Sequence, residues 1–184
     1  MHRSEHKLEV RAASSVRSSS PGVLAGYAAV FDRPADLGEF SETVRSGAFT
    51  KSLEKPDGIF ALYDHERRSV LGRCGSGTLR LHQDSKGLEF EVDLPDTTIG
   101  RDLAVLVERG DVAGCSFAFL TPKGGDRWES RGGRMHRELI QVDLREITIT
   151  PTPAYADTTV AKRSMPGITV ATLDTRRAWL ETCR

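Results

Sequence analysis

Long apolar runs are missing, and so is a surplus of either charge. No stretch of about 18 uninterrupted apolar residues occurs, which leaves no candidate for a membrane-crossing helix. Lys plus Arg and Asp plus Glu each number 26, a formal net charge of +0. No broad basic surface remains to neutralise a phosphate backbone, so neither nucleic acid nor a membrane is expected as a partner. Cysteine is scarce: Cys74, Cys115 and Cys183 form no CxxC pair and leave an odd thiol. That argues against a disulfide framework and a cysteine-rich zinc site, and for a reducing compartment. His82 and His136 stand in polar or loop-like sequence with no patterned ligand nearby, so no metal and no cofactor is expected. The first residues alternate His, Arg, Glu and Lys where a secretion signal would be apolar, so synthesis in a cytoplasm is the expectation.

What is present suits one domain. The chain has 184 residues, of which 38% are hydrophobic, enough to bury a core. Ala12 to Gly22 is rich in Ser and ends in Pro-Gly, a composition that reads as a mobile arm or loop. Val23 to Phe31 and Ile59 to Tyr63 read as buried strands. Phe49 and Leu53 predict a short helix stopped by Lys55-Pro56-Asp57-Gly58. Leu79 and Leu81, then Leu88, Phe90, Val92 and Leu94 alternating with Glu89, Glu91 and Asp93, predict a hairpin through Asp84-Ser85-Lys86-Gly87. Thr97 and Thr98 open a helix carrying Leu103, Leu106 and Val107, and Gly110 closes it. Cys115 to Leu120 and Glu138 to Thr150 read as strands around a glycine-rich loop or flap, Thr121 to Arg134. Val170 to Cys183 has the spacing of a terminal helix, after a linker at Met165-Pro166-Gly167. Short strands without a βαβ rhythm predict a mainly β fold, an antiparallel sheet closed or nearly closed into a barrel and flanked by a few helices.

Three segments hold candidate chemistry. In an extended Gly114-Cys115-Ser116-Phe117-Ala118-Phe119, Cys115 shares a face with two phenylalanines, while Ser116 points the other way beside small neighbours, as a nucleophile needs. His65 stands where a strand emerges into the turn Asp64-His65-Glu66, and its ring suits proton transfer near neutrality. Ile140, Val142 and Leu144 keep one phase and Ile147 and Ile149 the other, which predicts a bulge near Arg145-Glu146. Glu146 then puts a carboxylate where an apolar side chain is due, and an imidazolium is one partner that would compensate it. Each has a plainer account: Ser116 as strand filler, His65 as a surface turn residue, Glu146 in a salt bridge with Arg145 or Arg73.

Taken in order, these segments resemble the prohead maturation proteases of tailed phages, whose fold is similar to the herpesvirus assemblin serine proteases. The resemblance spans roughly Gly22 to Thr159. It is carried by Gly26-Tyr27-Ala28-Ala29-Val30-Phe31, Ser46-Gly47-Ala48-Phe49, Asp64-His65-Glu66 with Val70-Leu71-Gly72, Gly114-Cys115-Ser116-Phe117, and Leu144-Arg145-Glu146-Ile147-Thr148-Ile149-Thr150 ending at Pro153-Ala154-Tyr155. It implies a serine endopeptidase with Ser116 as nucleophile, His65 as general base and Glu146 as orienting acid. Candidate oxyanion donors are backbone N–H groups of Thr152 to Ala156, or Arg145. The implied substrates are the scaffold protein or the scaffold-like segment of the major capsid protein, cleaved inside the immature head in the host bacterial cytoplasm, with self-cleavage around Lys162 to Gly167. A homodimer is suggested by the herpesvirus relatives. The expected division is a flexible arm over 1–21, the protease domain over 22–160, and a linker with a C-terminal helix or tail over 161–184. A non-catalytic capsid-assembly module and a cysteine peptidase using Cys115 are the alternatives.

Overall fold

The clearest alternation in the chain becomes its clearest hairpin. A computed structural model describes residues 8–13 and 16–151. In it, strands β8 (Leu79–Gln83) and β9 (Gly87–Asp93) pair with Leu81 opposite Phe90 and Leu79 opposite Val92. Asp84 closes the turn by accepting the N–H groups of Lys86 and Gly87 at 2.7 and 2.8 Å. A Cβ at Gly87 would stand 2.0 Å from the Ala29 carbonyl oxygen, so only glycine admits this approach. Strand β3 (Val23–Val30) lies on the other side of β9, and β2 (Val16–Ser20) beyond it.

A second sheet, in the order β1-β10-β13-β6-β7, holds the candidate site. Its strands are β1 (Glu9–Ala13), β6 (Phe60–Tyr63), β7 (Glu66–Arg73), β10 (Gly114–Leu120) and β13 (Asp143–Thr150). The third sheet joins β11 (Asp126–Arg131), β12 (Arg134–Leu139), β5 (Phe40–Val44) and β4 (Ala35–Asp36). Helix α1 (Thr50–Glu54) is short; α2 (Thr98–Glu108) is capped by Thr97, whose hydroxyl accepts the Gly100 N–H at 3.3 Å, and ends before Gly110 at φ +81°. The core lies between the first two sheets, where Leu24, Leu88, Phe90 and Val92 meet Cys115, Phe117, Phe119, Ile147 and Ile149 with Leu103 and Val107 of α2.

Three expectations need correction. The fold is mainly β, but its sheets are three and do not close into a barrel, and two strand pairs, β12 with β5 and β13 with β6, are parallel. The first two sheets cover each other's apolar faces, so burial is achieved without closure, and the Val16 N–H to Ala113 carbonyl contact of 3.2 Å joins them at one margin. The serine-rich segment read as an arm supplies the end of β1 and all of β2. The flap read over Thr121 to Arg134 contains β11 and the start of β12, turned through Gly132-Gly133 with φ of +60° and +81°, the geometry of a tight hairpin turn. The expected terminal helix, linker and self-cleavage region lie outside the described residues.

What the apolar pattern hid in these segments is a buried charge network. Arg137, 1% exposed, donates to both carboxylate oxygens of Glu9 at 2.5 and 3.0 Å, to Glu42 at 3.1 Å and to Asp126 at 2.8 Å. Arg11 is held between Glu9 and Glu42 and stacks over the Phe119 ring at 5.4 Å. Burial would raise the Glu9 carboxyl, but the hydrogen bond and charge of Arg137, the charge of Arg11 and the Thr121 hydroxyl hold it below its ordinary value. The network ties β1 to the third sheet.

Candidate active site

The bulge predicted near Arg145-Glu146 decides which way Glu146 points. Ala118 pairs with Glu146 and Phe119 with Leu144, so Arg145 is the extra residue. Past it, Ile147 and Ile149 enter the core while Glu146 and Thr148 take the opposite face. Ser116 is registered with Thr148 on one side and Ala12 of β1 on the other, and Thr148 in turn with Leu62 of β6. Partners directly across a ladder share a face, so Ser116, Ala118, Thr148, Glu146, Phe60 and Leu62 all lie on the face turned away from the core. Cys115, on the other face, is fully buried, and burial pushes its thiol up to about 12. A neutral thiol among phenylalanines is a poor nucleophile, so the cysteine reading loses its support.

His65 reaches this face through an unusual turn. Tyr63 pairs with Glu66, and the two residues between, Asp64 and His65, have φ of +52° and +58°. Left-handed backbone at a non-glycine residue is costly, by about 1–3 kcal/mol, and persists where surrounding contacts over-determine it. Here Asp64 is pinned to β13 twice: its N–H donates to the Ile149 carbonyl at 3.0 Å, and its carboxylate accepts the Thr150 hydroxyl at 2.9 Å. The tight turn carries the His65 ring back over β13, where Nδ1 meets Glu146 Oε1 at 2.9 Å.

That contact fixes the chemistry of the ring. With the carboxylate ionised, Nδ1 carries the hydrogen in this contact, and a neutral ring then has its lone pair on Nε2. Among the described residues His65 Nε2 is buried without a hydrogen-bond partner, and so is Ser116 Oγ. The structure thus brings His65 and Glu146 into direct contact and puts Ser116 on their face, without a serine–histidine hydrogen bond in this conformation. Of the oxyanion candidates, Thr152 to Ala156 lie outside the described residues, and Arg145 turns beside a cavity, 4.0 Å from Asp143.

Two features escaped sequence reasoning. His136 is a buried strand residue, not a loop residue: its Nδ1 lies 2.7 Å from Ser41 Oγ. The second is a cavity of about 310 Å³ beside Glu146, lined by Phe60, Leu62, Val70, Arg67 and Arg145. Among the described residues no cluster of His, Cys, Asp and Glu could hold a metal ion, and no helix is long and apolar enough to cross a membrane.

Comparison with protein-family models matches residues 6–169 to the family described as Caudovirus prohead serine protease. No curated protein and no solved structure matches the chain.

Proposed function

We propose that this chain, which belongs to the caudovirus prohead serine protease family, is a working serine endopeptidase in which Ser116 is the nucleophile, His65 the general base and Glu146 the orienting acid. The reading rests above all on the Glu146–His65 contact of 2.9 Å, which leaves a buried, unpartnered Nε2 on the face that also holds the buried, unpartnered Ser116 hydroxyl. Two buried polar groups without partners are costly unless a substrate or a small closing motion completes them, and catalytic hydrogen bonds tighten on substrate binding.

In the reaction, Nε2 takes the Ser116 proton as Oγ bonds to the scissile carbonyl carbon, and Glu146 stabilises the resulting imidazolium. Collapse of the tetrahedral adduct breaks the C–N bond, and the imidazolium gives its proton to the leaving amine. Water then attacks the acyl-enzyme, with His65 again the base, and releases Ser116. The oxyanion needs preorganised donors, each worth about 10²–10³ in rate, for which Arg145 and the backbone N–H groups of Thr152 to Ala156 are the candidates.

The proposed substrates are the scaffold protein or the scaffold-like segment of the major capsid protein, cut inside the immature head in the host cytoplasm, with the chain also cleaving itself. The test is co-expression with the capsid protein, comparing wild type with Ser116→Ala by intact mass. Products with wild type and full-length chains with the variant are expected. Equal cleavage in both would remove Ser116 from the reaction, and no cleavage in either would favour a non-catalytic assembly module.

A further inference from the structure

Beside the proposed triad the sheet face opens into the cavity of about 310 Å³. Its walls are of two kinds. Phe60, Leu62 and Val70 supply an apolar surface, and Val70 is 42% exposed on the edge strand β7. Arg67 and Arg145 rim it. Arg67 has no hydrogen-bond or ion-pair partner among the described residues, and Arg145 has only the 4.0 Å contact with Asp143. A third guanidinium, Arg73, stacks over the Phe60 ring at 5.3 Å. Among the described residues one lining carboxylate stands against these, Glu146, already engaged by His65. The cavity is apolar in its walls and short of negative charge at its rim.

We infer that this cavity is a specificity subsite that takes a large apolar side chain of the substrate while Arg67 receives the carboxylate of a neighbouring Asp or Glu. The inference rests on the peptidase reading above. Ser116 and Leu62 stand in one registered row across β10, β13 and β6. Strands are spaced about 4.8 Å, so the cavity lies roughly 10 Å from the serine, about three residues of extended peptide. A substrate strand held at Ser116 can therefore reach it. Apolar contacts in such a pocket discriminate by about 10-fold or more, whereas a solvent-exposed charge pair adds no more than about fivefold and fades with salt.

The test digests a pool of random decapeptides with the full chain, reads cut positions by mass spectrometry, and repeats the digest with Arg67→Glu and Arg67→Lys. In parallel, wild type is treated with a fluorophosphonate probe, whose reaction with Ser116 does not need the subsite. Expected are cuts enriched about 10-fold for a Leu, Met or Phe side chain near the third residue from the cut, with a threefold to fivefold preference for an adjacent Asp or Glu at low salt. Arg67→Lys should keep the acidic preference and Arg67→Glu should reverse it toward Lys or Arg. A labelled wild type that cuts without apolar preference, or whose acidic preference survives Arg67→Glu, overturns the subsite alone. Labelling with no decapeptide cut overturns it too, since a short segment should suffice. Absence of both labelling and cleavage overturns the peptidase reading together with it.

Discussion

Glu146 reaches His65 Nδ1 at 2.9 Å only because Arg145 is an extra residue in β13. Without that bulge the carboxylate would keep the phase of Val142 and Leu144 and point into the core, where an ionised group is costly. One inserted residue thus turns a core position into one that contacts the His65 ring.

Glu146→Gln keeps the size of the side chain and removes the charge that stabilises the imidazolium. We expect kcat to fall by about 10³–10⁴-fold with little change in thermal stability. A loss under tenfold, measured on a peptide substrate in a folded variant, would remove Glu146 from the mechanism.

Cys115 and Ser116 are adjacent, and their variants separate two chemistries. Cys115→Ala deletes a buried sulfur on the core face and is expected to cost about 1 kcal/mol of stability while leaving turnover within a few-fold. Ser116→Ala is expected to abolish turnover, by at least about 10⁴-fold. The reverse pattern would reinstate the thiol.

The turn at Asp64 and His65 makes its own prediction. Asp64→Val places a β-branched residue at φ +52° and removes the acceptor of the Thr150 hydroxyl. It should cost about 2–3 kcal/mol in urea unfolding and lower kcat, because the ring it positions is no longer held over β13. Asp64→Asn, which tolerates left-handed backbone and can still accept that hydroxyl, should recover most of both.

Much of the fold was legible. The hairpin of β8 and β9 and helix α2 follow from period and caps, and Glu146 announced itself as a carboxylate in an apolar phase. The strands at the start of the chain and the β11–β12 hairpin were not legible, for one physical reason. Their inward side chains include Glu9, Arg11 and Arg137, which a hydrophobic pattern counts as surface, and whose partners stand up to 128 positions away. The Gly132-Gly133 turn signal was present in the sequence and was outweighed by that polarity. Ser116, His65 and Glu146 could be placed at strand and turn positions from sequence, but only the register of β10, β13 and β6 puts them on one face.

The network also predicts how the protein fails. Arg137→Met would leave Arg11 alone to compensate the buried Glu9 and Glu42 and should cost about 3–5 kcal/mol, roughly 10 °C in Tm. Arg80→Met, which breaks ion pairs between half-exposed groups, should cost under about 1 kcal/mol. Because the folded Glu9 titrates below its ordinary value of 4.5, its contribution is fully present above that value and is lost as pH falls through the lowered one. Urea unfolding between pH 6 and about pH 3 should show wild-type stability declining on the acid side. A flat profile would show that Glu9 contributes nothing to it.

Strand β1 covers the outer edge of β10, with Ala12 opposite Ser116, and it carries Glu9 and Arg11 into the third sheet. A single cut that released the residues before Val16 would strip the serine strand of its neighbour, bare a row of unpaired amides and carbonyls, and deprive Arg137 of its principal counter-ion. The integrity of the strand that carries Ser116 is therefore tied to a strand far from it in sequence, one that both completes its ladder and neutralises a buried guanidinium.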